Sequence, residues 1–539
     1  MGFSLHIYPT LPLIIALVCV LYVRSAAKWR TRSRGRPFPP GPPGLPLFGN
    51  MFNMPGDKAW LDFHELAGQY GDIIHFRIFG KSTVVLGSPG IIHEYLEKRA
   101  TNTSDRVQTP VFEMLEQRGN FGIMPYGPQW RQYRRHFWQH FTSRATEQYQ
   151  SIQRDAAHQF LARVLERPAQ LRDHIRCTFL TTVLKVVYGV DIDEEDFDKY
   201  AAPFNVSAEG IAQALAPGKY IVELLPFLKG VPKWVPGFAW QADFGRWRAA
   251  VLDVKNVPFA QTKEAMAHGQ ALDSLVAKTL TAPGNADELE EMAKGIGLIS
   301  YEAGADSSFI AVQSFFLAMS LHPDAQKKAQ AELDRVVGNG RMPEFSDWES
   351  LVYVNAIIRE TLRWHTIAPL SVSHAATDDD DLHGYFIPAG TVLLPNIWAC
   401  MHDPAVYEDP HVFRPERFIR DGKLDLSVRD PLAFVFGFGR RICPGRHFAE
   451  ASLFISVASI LHVFDITPAL DADGRPIAIK HSQTAGFISS PEDSRCTVKP
   501  RSAETAALIM GHGQASKRSI GESIDVAGIT TTPPNQEVY

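Results

Sequence analysis

Phe436-Gly437-Phe438-Gly439-Arg440-Arg441-Ile442-Cys443-Pro444-Gly445 joins a tight loop, a cysteine and the start of a helix within ten residues. Two glycines before the cysteine permit a loop in which backbone N–H groups point at sulfur. Pro444 suits the first turn of a helix, where its missing N–H is not needed. The stretch 446–463 that follows is apolar on nearly all sides, through Phe448, Leu453, Phe454, Ile455, Val457, Ile460 and Leu461. That pattern predicts a buried helix, and a cysteine at its N-terminus has its thiolate favoured by the helix dipole. Phe436 is placed to shield the sulfur from water, and Arg441 supplies positive charge nearby.

Working outward, no linker-like break interrupts the chain from about Trp60 to Arg501. Helical periodicity predicts long helices over 146–166, 171–189, 245–269 and 286–321. Alternating runs at 74–78 and 83–86 predict hairpin strands. Later strands are expected at Phe386-Ile387 and Val392–Leu394, joined by the turn Pro388-Ala389-Gly390. The body reads as mainly α with small separate β-sheets, in one continuous domain. The chain of 539 residues is 45% hydrophobic and 21% charged, a composition that folds. Five cysteines in this length exclude a disulfide scaffold, and a net charge of −5 argues against nucleic acid as the main partner.

The two ends differ from this body. Leu11 to Val23 carries no charge, and with the mostly apolar stretch from Leu5 it just reaches bilayer length. Arg24, Lys28, Arg30, Arg32, Arg34 and Arg36 follow it and none precede it, so residues 1–23 read as a retained anchor with the body on the cytosolic side. The sequons at Asn102 and Asn205 are then coincidental. Residues 24–46, basic and then proline-rich through Pro39-Pro40-Gly41-Pro42-Pro43-Gly44-Leu45-Pro46, predict a stiff extended spacer. The main domain is assigned to 47–502, and 503–539 is expected to be a disordered polar tail.

The spacing F-x-x-G-x-R-x-C-x-G resembles the haem-binding signature of the cytochromes P450, the haem-thiolate monooxygenases. The resemblance implies a b-type haem (iron protoporphyrin IX) with Cys443 as the axial thiolate, which favours O–O cleavage. A buried structural cysteine is one alternative. A Cys₂His₂ zinc site from Cys400, His402, Cys443 and His447 is another, although zinc alone accounts for neither the glycines nor Phe436 and Arg441.

Further motifs occur in the family's order. Glu360-Thr361-Leu362-Arg363 and Phe413-Arg414-Pro415-Glu416-Arg417-Phe418 resemble E-x-x-R and P-E-R-F, which makes Glu360, Arg363 and Arg417 a buried structural network. Trp130 and Arg134 match W-x-x-x-R and with Arg441 become haem-propionate partners, Arg being suited to carboxylates; His374 is added by its position. Ala303-Gly304-Ala305-Asp306-Ser307 resembles the family's distal-helix motif, with serine where threonine is usual. The resemblance implies that Asp306 and Ser307 relay protons to the distal oxygen. The alternative is a serine bonding the carbonyl one turn earlier.

By position in the family, the substrate pocket is assigned to Phe112, Leu115, Phe121, Ile299, Ala303, Ile367, Val372, Phe487 and Ile488, an apolar set that implies a hydrophobic small molecule. Residues 220–240, rich in aromatics, are a candidate lid at the membrane surface. No flavin or dinucleotide module is visible, so NADPH electrons are expected from a separate NADPH–cytochrome P450 reductase, docking near Arg131, Arg135, Arg440 and Arg446. The resemblance, closest in style to fungal members, implies monooxygenation with O₂ at the endoplasmic reticulum membrane in specialised (secondary) metabolite biosynthesis, such as that of terpenoids. Other readings remain: a sterol, fatty-acid or xenobiotic hydroxylase, a reductase-independent isomerase or dehydratase, or a non-catalytic haem-binding protein.

Overall fold

The computed structural model describes residues 16, 20, 23–24, 27–215, 220–223, 225–231 and 234–512. The expected anchor, 1–23, lies almost wholly outside them, and among the described residues no helix is long and apolar enough to cross a membrane.

The molecule is built around the helix Ala286–Leu321. Its start is set by Asn285, whose side chain accepts the N–H groups of Asp287 and Glu288 and so satisfies donors that have no partner within the helix. Phe309 to Met319 are buried in the largest core cluster, together with side chains from Gln150–Glu166, Leu171–Tyr188, Val352–Trp364 and Arg446–Val463. Gly295 is required by close packing: a Cβ there would lie 2.3 Å from the Gly119 carbonyl oxygen. Gly304 faces Val183 of the helix Leu171–Tyr188, where a Cβ would sit 3.3 Å from a methyl group. Its small size therefore serves helix packing as well as any role toward the site.

The principal sheet has four strands in the order Ile73–Ile78, Lys81–Leu86, Val392–Pro395, His374–Ala375. The first pair is antiparallel, with Ile73 opposite Leu86 and Ile78 opposite Lys81. Lys81–Leu86 and Val392–Pro395 run parallel, Thr83 opposite Val392. Tyr385–Ile387 instead pairs with Asp380–Leu382. The turn at 388–390 thus joins two strands of different sheets, which the local sequence does not reveal.

Residues 27–46 do not stand away from the domain as a spacer. Residues 27–33 are helical, and the prolines beyond lie along the sheet edge. Pro37 and Pro40 carbonyls accept the N–H groups of Phe386 and His75, each at 2.8 Å, and the Phe38 ring stacks on His75. Prolines lack donors but keep their acceptors, so the segment can line an edge while bonding to it. Arg32 and Arg36 pair with Asp379 and Asp381. The expectation of disorder from 503 also fails for its first ten residues: 503–512 are helical, Ile509 is buried in the main core, and His512 packs on His158. The remainder of that tail is outside the described residues.

Candidate active site

Cys443 precedes the helix Arg446–Val463, whose residues Ala451 to Val463 are all buried. Its N–H donates to the Phe436 carbonyl at 2.7 Å, closing the glycine loop on itself. Burial raises the Cys443 thiol above its ordinary pKa, while the Gly445 amide and the guanidinium groups of Arg134 and Arg446 act in the opposite direction.

Basic side chains gather beside this loop. Arg134, on the helix Pro128–Phe141, donates to the Ile442 carbonyl. Arg441 donates to the carbonyls of Ser104 (2.7 Å), Phe121 (3.2 Å) and Met124 (2.7 Å). Its guanidinium lies 4.3 Å from the centre of the buried Trp130 ring. His374, on the sheet's short edge strand, donates from Nδ1 to the Thr103 carbonyl at 2.7 Å. The structure therefore brings Trp130, Arg134, Arg441 and Cys443 together, with His374 tied in through the segment 103–106.

A fourth group was not anticipated. Arg106 is buried, donating to the carbonyls of Gly122 (3.0 Å), Val372 (2.8 Å) and Ser373 (2.8 Å). Burial, and then the positive charges of Arg441 and Arg134, hold its pKa well below the usual arginine value. Burial likewise lowers Arg134 to about 10 and Arg441 to about 9. Burial followed by Arg106 depresses His374. The carboxylate bearing on Arg106 and Arg441, Asp105, is itself engaged by the backbone N–H groups of Arg106 and Tyr126. A lone arginine in an irregular segment offers no spacing to recognise, so only the fold identifies Arg106.

On the central helix, Ala303 is exposed although Glu302 and Ala305 beside it are buried, so this turn faces open space. Ser307 donates to the Ala303 carbonyl at 2.7 Å. Asp306 turns toward Arg176 on the neighbouring helix, 3.8 Å away. Burial raises its carboxyl, and Arg176 and Arg172 oppose that rise. On the far side, Arg363 makes two bonds to Glu360, at 2.7 and 2.8 Å, and Arg417 a third at 3.2 Å. Both guanidinium groups also reach backbone carbonyls, among them Met401 and Pro410 from Arg363 and Glu408 from Arg417.

Two pocket expectations need correction, and one alternative falls. Leu115 is fully buried among Val111, Val222, Phe244 and Trp247, and Phe121 packs on Phe137; both are core, not pocket wall. Phe112 and Val372 do line a cavity, shared with Arg106, Thr109, Ile123 and Leu215. Ile299, Ile367, Phe487 and Ile488 are half-buried. The zinc quartet does not assemble: among the described residues no group of three or more His, Cys, Asp or Glu is placed to hold a metal. His402 stacks on Trp398, while His447 accompanies Arg446 and Trp138.

With this arrangement in view, the comparisons are direct. A model of the Cytochrome P450 family matches residues 39–494. Cytochrome P450 monooxygenase 208 of Postia placenta is 40% identical over 501 residues, 92% of this chain and 96% of its own length. Cytochrome P450 monooxygenase COX1 of Coprinopsis cinerea is 36% identical over 508 residues, 92% and 97% of the two chains. Tryptamine 4-monooxygenase of Psilocybe cyanescens is 34% identical over 511 residues, 93% and 99%. A mainly helical domain with a cysteine loop at the head of a buried helix is the architecture of the haem-thiolate monooxygenases. The chain belongs to the cytochrome P450 family, alongside fungal monooxygenases.

The family implies a haem held by a cysteine thiolate, and the residues present fit one. Arg106, Arg134 and Arg441 are cations withdrawn from water that donate to backbone carbonyls, and burying such charge is costly without anionic partners. Two propionate carboxylates are the partners this donor set suits.

Proposed function

We propose that Cys443 is the axial ligand of the haem and that the chain inserts one oxygen atom from O₂ into a hydrophobic small molecule. The gathering of Arg106, Arg134 and Arg441 beside the cysteine loop carries this reading. Bound there, the haem supplies the oxygen-activating chemistry, with the thiolate pushing electron density toward iron. The chain's own residues do the rest. Trp130, Arg134, Arg441, Arg106 and His374 hold the carboxylate edge, and Phe436 keeps water from the sulfur. Asp306 and Ser307 move protons to the distal side. Glu360, Arg363 and Arg417 brace the fold behind it.

Electrons come from NADPH through a separate cytochrome P450 reductase. Arg131, Arg135 and Arg440 are exposed and Arg446 lies close by, a basic face suited to an acidic partner. Residues 1–23 anchor the enzyme in the endoplasmic reticulum membrane with the catalytic domain cytosolic. The exposed Ile221, Leu225, Phe227 and Trp234 are a second apolar contact with that surface. The substrate belongs to fungal specialised metabolism, terpenoids among its classes; the relatives include a fungal enzyme named for a small organic molecule, tryptamine.

The test is the absorption spectrum of the reduced, CO-bound protein, followed by NADPH consumption and product formation with reductase present. Cys443→Ala should lose the thiolate-type band. Retention of that band in the variant would remove Cys443 as ligand.

A further inference from the structure

We propose that Glu97 is a positioning residue for the haem-ligand loop, fixing it through the N–H of Gly439; the proposal rests on Cys443 as the axial ligand. The N–H groups of Gly437, Arg441, Ile442 and Cys443 all bond within the loop region, to the carbonyls of Phe434, Phe438, Gly439 and Phe436. The Gly439 N–H instead leaves the loop and donates to Glu97 Oε1 at 2.7 Å. The acceptor is an ionisable carboxylate that is half-buried, and a hydrogen bond to an ionised acceptor is about twice as strong as a neutral one.

Two further features bind the same elements. Gly439 has a φ of +53°, and a Cβ there would lie 2.5 Å from the Leu96 carbonyl oxygen and 3.0 Å from the Ala100 side chain. The loop backbone therefore lies directly against the segment that carries Glu97. That segment, His93–Lys98, is a π-helix between α-helical turns at Pro89–Ile92 and Ala100–Thr103. Such wide turns are rare and concentrate at functional sites.

Three residues separate Gly439 from Cys443, and the loop reaches the helix Arg446–Val463 just beyond the cysteine. Arg134, on the helix Pro128–Phe141, bonds the Ile442 carbonyl. Glu97 and Arg134 thus tether the loop backbone from two separate elements, beside the bonds that the Arg441 side chain makes outward. Release of the Glu97 tether would free the glycine end of the loop that presents the Cys443 sulfur, which would hold the haem less firmly. Glu97 meets the site through the Gly439 backbone, so its effect passes through the loop.

The test uses the full-length holoenzyme with Glu97→Ala, Glu97→Asp and Glu97→Gln, and Glu94→Ala as the control on the same turn. Glu94 pairs with Arg99 and His383, away from the loop. At equal haem content, the rate at which the thiolate-type CO band converts to the neutral-ligand form in mild denaturant is measured. Hydrogen exchange across 436–443 is followed in parallel.

Glu97→Ala and Glu97→Asp should convert at least about tenfold faster than wild type, because neither side chain reaches the amide. Glu97→Gln keeps an acceptor oxygen and should stay within about threefold. Exchange at Gly439 should rise in Ala and Asp but not in Gln. Should Glu97→Ala fail to fold, Asp against Gln decides. Wild-type behaviour in Asp, or an equal effect from Glu94→Ala, would overturn the proposal. A wild-type protein with no thiolate-type band would overturn both it and the ligand assignment.

Discussion

The hydroxyl of Ser307 lies 2.7 Å from the carbonyl oxygen of Ala303, one turn back on the same helix. Its neighbour Asp306 turns instead to Arg176 on the adjoining helix. Successive residues on a helix point about 100° apart, and at rest the two groups face different partners. Proton movement through them needs Ser307 to leave its carbonyl and Asp306 to loosen from Arg176.

Asp306→Asn should leave haem and substrate binding near normal and slow turnover by about 10²–10⁴-fold, the usual cost of losing a positioned proton donor. Ser307→Ala should consume NADPH and release peroxide with little product. Ser307→Thr should keep or improve coupling, since the branched side chain has fewer rotamers. Product formed per NADPH oxidised separates the three. Wild-type rate and coupling in both Asn and Ala variants would make the pair structural.

Arg106→Ala should speed haem loss by roughly tenfold or more, as a charge-assisted donor is removed from the carboxylate edge. Arg106→Lys should recover only part of this, because an ammonium cannot span the three carbonyls that the planar fork reaches. The measurement is haem transfer to an excess of apomyoglobin. An unchanged rate in Arg106→Ala would show that this cation serves only the backbone around it.

Glu360→Gln should destabilise the fold by about 3–5 kcal/mol, since it leaves the guanidinium groups of Arg363 and Arg417 without their buried carboxylate. Arg363 and Glu360 are fully buried, so water cannot take over these bonds. Yield of folded protein and denaturant midpoint are the readouts. A midpoint equal to wild type would show that the backbone carbonyls alone satisfy both arginines.

Acid should weaken the protein through a buried histidine pair. His481 bonds His365 at 3.1 Å, and His365 donates onward to the Ser489 carbonyl. Burial lowers His365 to about 4 and His481 to about 3, against an ordinary value of 6.5. The unfolded chain therefore binds protons that the folded one refuses. This contribution to stability is complete above pH 6.5 and declines as pH falls from there toward about 4. Each histidine adds a slope of up to about 1.4 kcal/mol per pH unit in that window. Unfolding free energies of wild type and His481→Gln across the window test it; parallel pH curves would exclude the pair as the source.

Sequence alone determined what repeats locally and strongly. Apolar periodicity marked 286–321, and the observed helix is Ala286–Leu321. The all-round apolar run at 446–463 is likewise a buried helix with those bounds. The cysteine loop was legible because it fixes several residue types at short spacing; E-x-x-R and W-x-x-x-R, with two fixed residues each, were legible through their order beside it. What needed tertiary structure were the relations between distant segments whose local pattern is neutral. Arg106 became a partner of Arg134 and Arg441 only once 103–106 was laid beside the cysteine loop. The Asp378–Asp381 run and the basic segment after the expected anchor proved to be two sides of one contact. The strands flanking Pro388 belong to different sheets because pairing is set by what lies alongside, not by the turn between them. Leu115 and Phe121 have the apolar character of pocket residues, but burial depends on what surrounds a side chain, and here neighbouring core side chains enclose both.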